Sequence, residues 1–291
     1  MEKSPLIIIT GPTASGKTSL AIELAKMYNG EIISADSRAI YRGINIASAK
    51  PSIKERSGIV HWGFDLVNPG DSFTAYDFKK YAYEAIDDIS ERGKIPFLVG
   101  GTGLYIDAVL YDYDFGPKIN YELREKLNKM QLEELYKYCK NHNVTLPDNF
   151  KNKRYVIRSI EKSASNNYIE SSKKYNKYNN IVVGITTDRE ELKRRIQKRS
   201  NQFIEQGILE EAKTMAKEYG WGSEAMTANA YPVAKEYIEG TISESDFVDK
   251  ITTLDWRLAK RQMTFMKRNR DIIWKDLNGA KTFLINELKN I

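Results

Sequence analysis

The run Gly11-Pro12-Thr13-Ala14-Ser15-Gly16-Lys17-Thr18 carries the residue types and spacing that hold phosphate. Its glycines let consecutive backbone N–H groups turn inward around phosphate oxygens, and a helix opening at the Lys-Thr pair adds the positive end of its dipole. In such a loop Lys17 supplies a point charge to the terminal phosphate and Thr18 a hydroxyl for Mg²⁺. Three more groups bear on the same chemistry: Asp36-Ser37, Thr102 within Gly100-Gly101-Thr102-Gly103, and a basic stretch carrying Arg195 and Arg199. A phosphate cradle beside a free carboxylate fits a transferase, one group holding the phosphate and the other taking a proton from the nucleophile. Small-molecule kinases share that pattern, and residue chemistry alone leaves the two open. Structural readings also stand beside these: Thr102 as a helix cap, Asp36 as a cap or Mg²⁺ carboxylate, Arg199 paired with Glu205 or Glu210.

The elements needed to bring these groups together are legible in order. The β-branched run Leu6–Thr10 is a strand entering the glycine loop, Ser19 to Tyr28 an amphipathic helix stopped at Asn29-Gly30, and Glu31–Ser34 a second strand ending at Asp36. A strand, helix and strand of these lengths form a βαβ unit, so the sheet is expected to be parallel, with its ligands at the carboxyl ends of the strands. His61–Val67 reads as strand or extended chain, 74–92 as a helix, and Pro96–Val99 as a buried strand running into the second glycine turn before a helix over Leu104–Leu110. Asp114-Phe115-Gly116-Pro117 is a turn cluster and the expected domain boundary. Residues 118–162 show only helical periodicity, and 163–180, rich in Ser, Asn, Lys and Tyr, reads as a return linker. A strand at Ile181–Ile185, helices over 189–206, 208–219 and 244–268, the last opened by a Ser243/Asp246 capping box, a strand at Ile272–Trp274 and a terminal helix complete the chain. The expected architecture is an α/β fold: a P-loop NTPase-like parallel sheet with flanking helices, built from 1–117 and 179–291, with a small all-helical domain, 118–178, inserted.

At 291 residues, 41% hydrophobic and 29% charged, the chain has the composition of a soluble globular protein. Apolar runs reach only about five residues, so no membrane span and no signal peptide is expected, and the location is expected to be cytoplasmic. Cys139 alone excludes an internal disulfide, and with only His61 and His142 there is no His/Cys zinc set. Charge is unevenly spread: residues 1–117 hold 12 Lys/Arg and 15 Asp/Glu, 118–291 hold 33 and 24, and 256–270 holds six basic residues with no acid. A basic half joined to a near-neutral one points to a polyanionic partner, unless its lysines only solvate helix faces.

Several motifs, in order, resemble those of the tRNA dimethylallyltransferases, also called tRNA isopentenyltransferases, of bacterial type. They are the loop Gly11–Thr18; Ser34-Ala35-Asp36-Ser37-Arg38-Ala39-Ile40-Tyr41-Arg42-Gly43; Asn45–Pro51; Val99-Gly100-Gly101-Thr102-Gly103-Leu104-Tyr105; Asn152–Glu161; Arg199 to Glu211; and Ala259-Lys260-Arg261-Gln262. The resemblance implies that the loop residues Gly11, Pro12, Thr13, Ala14, Ser15, Gly16, Lys17 and Thr18 hold the diphosphate of dimethylallyl diphosphate. The prenyl group would pass to N6 of the adenosine immediately 3′ of the anticodon, position 37, in tRNAs reading codons that begin with U, with release of pyrophosphate. It further implies Asp36 as general base, Thr102 bonding the acceptor region, and Arg199 with Lys17, Thr18 and Mg²⁺ stabilising the departing pyrophosphate. Ser37, Arg38 and Ala39 would flank the flipped base, and Arg124, Arg154, Tyr155 and Arg158 of the helical insert would grip the tRNA anticodon stem-loop. The enzyme would act as a monomer. An adenylate isopentenyltransferase using free AMP or ATP, and a P-loop small-molecule kinase, are the alternative functions.

Departures from the family pattern are local. Ala230-Tyr231-Pro232-Val233 stands for the usual Gly-Tyr-Lys-Glu, Asp255-Trp256 for Thr-Arg, Ser48 for a threonine, and His61-Trp62 for two histidines, which leaves His61 read as structural.

Overall fold

The computed structural model describes residues 4–117, 119–165 and 177–290. In chain order β1 (Pro5–Thr10), α1 (Lys17–Met27), β2 (Gly30–Ser34), α2 (Ile53–Arg56), β3 (His61–Trp62), α3 (Ala75–Glu91), β4 (Ile95–Gly100) and α4 (Gly103–Leu110) lead into α5 (Tyr121–Lys129), α6 (Leu132–Asn141) and α7 (Lys153–Ser163). Then come β5 (Asn179–Ile185), α8 (Arg189–Glu205), α9 (Ile208–Tyr219), α10 (Ala230–Ile238), α11 (Glu244–Met266), β6 (Ile273–Lys275) and α12 (Leu277–Leu288). The described residues form two compact units, Met1–Asp112 with Tyr175–Ile291, and Tyr113–Lys174.

The first unit is built on a six-stranded parallel sheet in the order β3-β2-β4-β1-β5-β6. β1 lies inside it, between β4 and β5, and Leu6, Ile7, Ile8 and Ile9 are fully buried, as a strand covered on both faces requires. One face packs α1 and α12 through Leu20, Leu24, Leu284 and Leu288. A second apolar cluster joins Ile40, Tyr41 and Ile44 to Phe203, Ile208, Tyr231 and Phe247, so the loop after β2 is tied to α8–α11. Reciprocal capping boxes open α3 (Thr74 with Asp77) and α11 (Ser243 with Asp246), each worth about 1 kcal/mol. Among the described residues no helix is long and apolar enough to cross a membrane.

Three expectations need adjusting. The extended segment from His61 pairs with β2 only through Trp62, because Gly63, at φ 86°, turns the chain beneath Ser34, where a Cβ would come within 2.8 Å of the Ser34 carbonyl oxygen; Val67 at its end bridges Tyr41. The turn Asp114–Pro117 falls inside the helical unit, because Arg158 Nη2 donates to the carbonyls of Phe115 and, at 2.8 Å, Pro117. Of the expected return linker, 166–176 lie outside the described residues, while Asn179 and Asn180 already belong to β5.

The helical unit packs α5, α6 and α7 around Leu127, Leu135, Cys139, Val156, Ile157 and Ile160. Glu161 is only 4% exposed, and its charge is met inside the unit. Arg124 donates to both its oxygens at 2.6 Å, and Arg158 Nη1 to Oε2 at 2.9 Å. Burying a carboxylate requires such partners, so these two arginines, expected to face RNA, also hold the unit's own buried charge.

Candidate active site

All the groups singled out in the catalytic unit meet at the carboxyl ends of β1, β2 and β4. Gly16, at φ 91°, makes the left-handed step into α1, a conformation open to glycine at little cost. Ser15 N donates to Pro12 O at 3.3 Å, and Lys17 Nζ folds back to the same carbonyl at 3.2 Å. Ser15 Oγ is buried with no partner among the described residues, an unused donor in a loop shaped for anions.

The loop after β2 is fixed against the loop after β4. Thr102 N donates to Ala35 O at 3.2 Å, and Ser37 N donates to Thr102 Oγ1 at 3.1 Å. A Cβ on Gly100 would lie 2.1 Å from Ala35 O, so this close approach needs glycine. Thr102 is the N-cap residue of α4, yet its hydroxyl makes no cap bond and goes to Ser37. Asp36 Oδ1 accepts from Arg38 N at 2.8 Å and Ala39 N at 3.3 Å, while Oδ2 takes no hydrogen bond among the described residues. The turn thus anchors one carboxylate oxygen and leaves the other for chemistry.

Arg199 reaches in from α8. Its Nη1 donates to Thr13 Oγ1 at 2.8 Å, its Nη2 to Asp255 Oδ2 at 2.5 Å, and its Nε is buried without a partner. Asp255, 5% exposed on α11, also accepts from Asn229 Nδ2 at 2.8 Å. Neither Glu205 nor Glu210 pairs with Arg199 in this arrangement. Arg195 Nη1 lies 3.5 Å from Ser15 O, and its Nε is paired with Glu191.

These residues enclose a cavity of about 200 Å³. Thr13, Lys17, Thr18, Asp36 and Arg199 line its polar part, and Ala39, Phe64 and Val99 give it apolar wall. A phosphate head with a short hydrocarbon tail matches that division, and the volume lies below the roughly 300–1,000 Å³ usual for larger ligands. Burial lowers the Lys17 ammonium from its ordinary 10.5 to about 8, with Asp36 opposing the shift and Arg199 adding to it. Like charges crowded at the loop are what an incoming polyanion relieves.

The pH dependence of ligand binding follows. Affinity for inorganic pyrophosphate is expected to fall above pH 8, by up to about tenfold per unit, as Lys17 loses its proton, and Lys17→Met should remove that limb. Calorimetric titration of both proteins across pH 7–10 cancels the ligand's own ionisation; identical profiles would dismiss the role. Stability runs the other way, because between about 8 and 10.5 the unfolded chain holds the proton that the folded chain has released, so Lys17 makes folding more favourable as pH rises through that window.

Sequence reading missed the parts played by Gln262 and Asp255, and read His61 as structural. Gln262 Oε1 accepts from Thr13 N at 2.8 Å and its amide fills the space a side chain at Gly101 would need, yet its motif stood out only for its basic residues. Asp255 drew notice only as a departure. His61 lines the cavity, with Nδ1 on Ile59 O at 2.9 Å and Nε2 buried without a partner; burial lowers its pKa. In the helical unit, Arg154 and Tyr155 are exposed, unlike Arg124 and Arg158.

With this geometry in hand, comparison with known proteins is specific. The IPP transferase family model matches residues 39–269, and the isopentenyl transferase model residues 4–61. The tRNA dimethylallyltransferase of Bacillus mycoides is 37% identical over 295 residues, covering 97% of this chain and 93% of that protein. That of Acetivibrio thermocellus is 38% identical over 300 residues, covering 98% and 96%. Among solved structures, the full-length tRNA isopentenylpyrophosphate transferase of Bacillus halodurans superposes with a TM-score of 0.74 at 31% identity, over 99% of this chain and 98% of that one. The Staphylococcus epidermidis tRNA delta(2)-isopentenylpyrophosphate transferase gives 0.73 at 34% identity, over 99% and 100%.

Proposed function

Because the chain belongs to the IPP transferase family, with the tRNA dimethylallyltransferases, and is a tRNA-prenylating enzyme, we propose that it takes dimethylallyl diphosphate as donor and N6 of the adenosine 3′ to the anticodon as acceptor, in tRNAs reading codons that begin with U. The observation that carries this reading is the free Asp36 oxygen opening on the same cavity as Lys17, Thr18 and Arg199.

In the proposed reaction the N6 lone pair forms a bond to C1 of the prenyl group as the C1–O bond breaks, its electron pair leaving on the diphosphate. Asp36 Oδ2 takes the proton that N6 sheds. Lys17, Arg199 and the loop N–H groups hold the growing negative charge, and because they are already fixed they need no rearrangement as it develops. Thr102 keeps the Asp36 turn in register through Ser37 N, while Phe64 and Val99 offer the prenyl group an environment without water.

The residues present also fit Mg²⁺. Thr18 and Ser34 hydroxyls and the Asp36 carboxylate line the cavity together, an all-oxygen set. Among the described residues no group of three or more His, Cys, Asp or Glu could hold a metal, which suits an ion that takes most of its ligands from substrate phosphates and water. Thr18 would hold it, and it would neutralise charge on the leaving diphosphate. The enzyme is proposed to act as a cytoplasmic monomer.

Incubation with an unmodified anticodon stem-loop RNA, dimethylallyl diphosphate and Mg²⁺ is expected to add the mass of one prenyl unit to the RNA. No gain would refute the donor and acceptor assignment. Parallel arms with AMP as acceptor, and with ATP as donor, separate the reading from adenylate prenylation and from a kinase.

A further inference from the structure

One wall of the cavity is neither strand nor helix. Ser48, Ala49, Lys50 and Pro51 line it, and they belong to the loop between β2 and α2. Such a segment must find partners for its backbone N–H groups outside any ladder. Ala49 N and Lys50 N bond back within the loop, to Ile46 O at 2.9 Å and Asn45 O at 3.0 Å. The N–H groups of Asn45, Ile46 and Ala47 instead all donate to one carboxylate, that of Glu211 on α9. Its Oε2 accepts from Asn45 N at 2.9 Å and Ile46 N at 2.7 Å, and its Oε1 from Ala47 N at 3.0 Å and the Tyr231 hydroxyl at 2.8 Å. Three successive amides turned to one side make a nest for an anion, and here the anion belongs to the chain itself. Tyr231 is fully buried, and burial holds its phenol above the ordinary range, so it stays a donor. Four donors meet two oxygens, which only an ionised carboxylate accepts in full.

The rest of the loop is held separately. Lys50, with its side chain 2% exposed, donates to Tyr41 O and to Asp65 Oδ1, both at 2.7 Å, and Ser48 Oγ donates to Ile44 O at 2.6 Å. Ile44 is part of the apolar cluster of α8–α11, and Ile46 and Ala47 pack against it, so the loop keeps its seat without the carboxylate. What Glu211 adds is register. Apolar packing is non-directional, whereas four hydrogen bonds fix where the backbone of 45–47 lies, and with it the stretch of wall that follows at once. Glu211 itself stands outside the cavity lining and reaches it through this loop.

We propose that Glu211 is a positioning residue for donor binding: it holds Asn45–Ala47 so that Ser48–Pro51 stand as a preformed wall for the prenyl diphosphate. The inference rests on the prenylation reading and extends it to a residue of α9 that touches no substrate. Without the tie the loop samples several positions, and donor affinity falls by the fraction of time the wall is in place. Saturating donor selects that position, so turnover at saturation is retained.

The test compares wild type with Glu211→Gln, whose amide, whichever way it turns, aims an NH2 at backbone N–H groups. The dissociation constant and the KM for dimethylallyl diphosphate are expected to rise about 10- to 10²-fold, the scale of one or two lost charge-assisted hydrogen bonds. Turnover per folded molecule and the KM for anticodon stem-loop RNA should stay within about twofold of wild type. Amide exchange at Asn45, Ile46 and Ala47 should quicken in the variant and slow again under saturating donor. Glu211→Asp, which keeps an acceptor-only group on a shorter stem, should fall between the two and carries the same comparison if the amide variant does not fold. Wild-type donor affinity in these variants overturns the proposal. So does a loss of kcat with donor affinity unchanged, or an equal rise in KM for donor and RNA, either of which marks a general structural role. Those results leave the prenylation reading standing, whereas wild type that neither binds nor transfers the donor overturns both.

Discussion

Asp36→Asn is expected to lower single-turnover prenyl transfer by about 10²–10⁴-fold while RNA affinity stays within about twofold of wild type. Asparagine is the informative replacement because the two oxygens of Asp36 have different work. Oδ1 holds the turn by accepting from Arg38 N and Ala39 N, which an amide oxygen still does. Oδ2 is the proposed proton acceptor, and an amide cannot replace it. Asp36→Ala loses both, so the gap between the Ala and Asn rates measures the turn and the Asn rate alone measures the base. Full turnover in Asp36→Asn would remove Asp36 from proton transfer. RNA affinity lost in step with the rate would make it a binding residue.

Arg199→Ala is expected to cost about 10²–10³ in turnover, the scale of losing one pre-aimed donor to a developing anion. It also leaves Asp255 buried with Asn229 as its remaining partner, which destabilises the fold by about 3–5 kcal/mol. Arg199→Ala with Asp255→Asn removes that uncompensated carboxylate, so stability should recover while turnover stays low. Urea unfolding and transfer kinetics on the two variants separate the contributions; recovery of turnover along with stability would show that Arg199 acts only through the fold. Asp255→Asn by itself should weaken turnover about tenfold, because Arg199 then keeps only its bond to Thr13 to hold it in place.

The sheet and its site were legible because they are written locally. Leu6–Thr10 with the glycine loop, Glu31–Ser34 ending at Asp36, and Pro96–Val99 ending at Gly100 each declare a buried strand and a rim residue, and parallel pairing then brings the rim residues together without further information. Helix ends such as the Ser243/Asp246 box were equally local. What stayed hidden depends on partners far apart in the chain. No spacing rule links Arg199 to Asp255, Thr13 to Gln262 or Arg124 to Glu161, since each pair is made only when elements far apart in the chain pack. The arginines of the helical unit show the cost of reading charge as exposure: Arg154 and Arg158 are alike in sequence, and only the folded unit turns one outward and the other onto a buried carboxylate.

The position of β1 between β4 and β5 bears on how the chain is made. Its partner on one side is complete at Gly100, but its partner on the other begins only at Asn179, after the helical unit has been synthesised. At ordinary translation speeds of about 5–20 residues per second, roughly eighty intervening residues take about 4–16 s to emerge. For that interval the most apolar strand in the protein, Leu6–Ile9, has an open edge on the ribosome, the condition in which strands pair with the wrong neighbour. The core of the helical unit and its Arg124–Glu161 pair are made from its own residues, so neither draws on that edge.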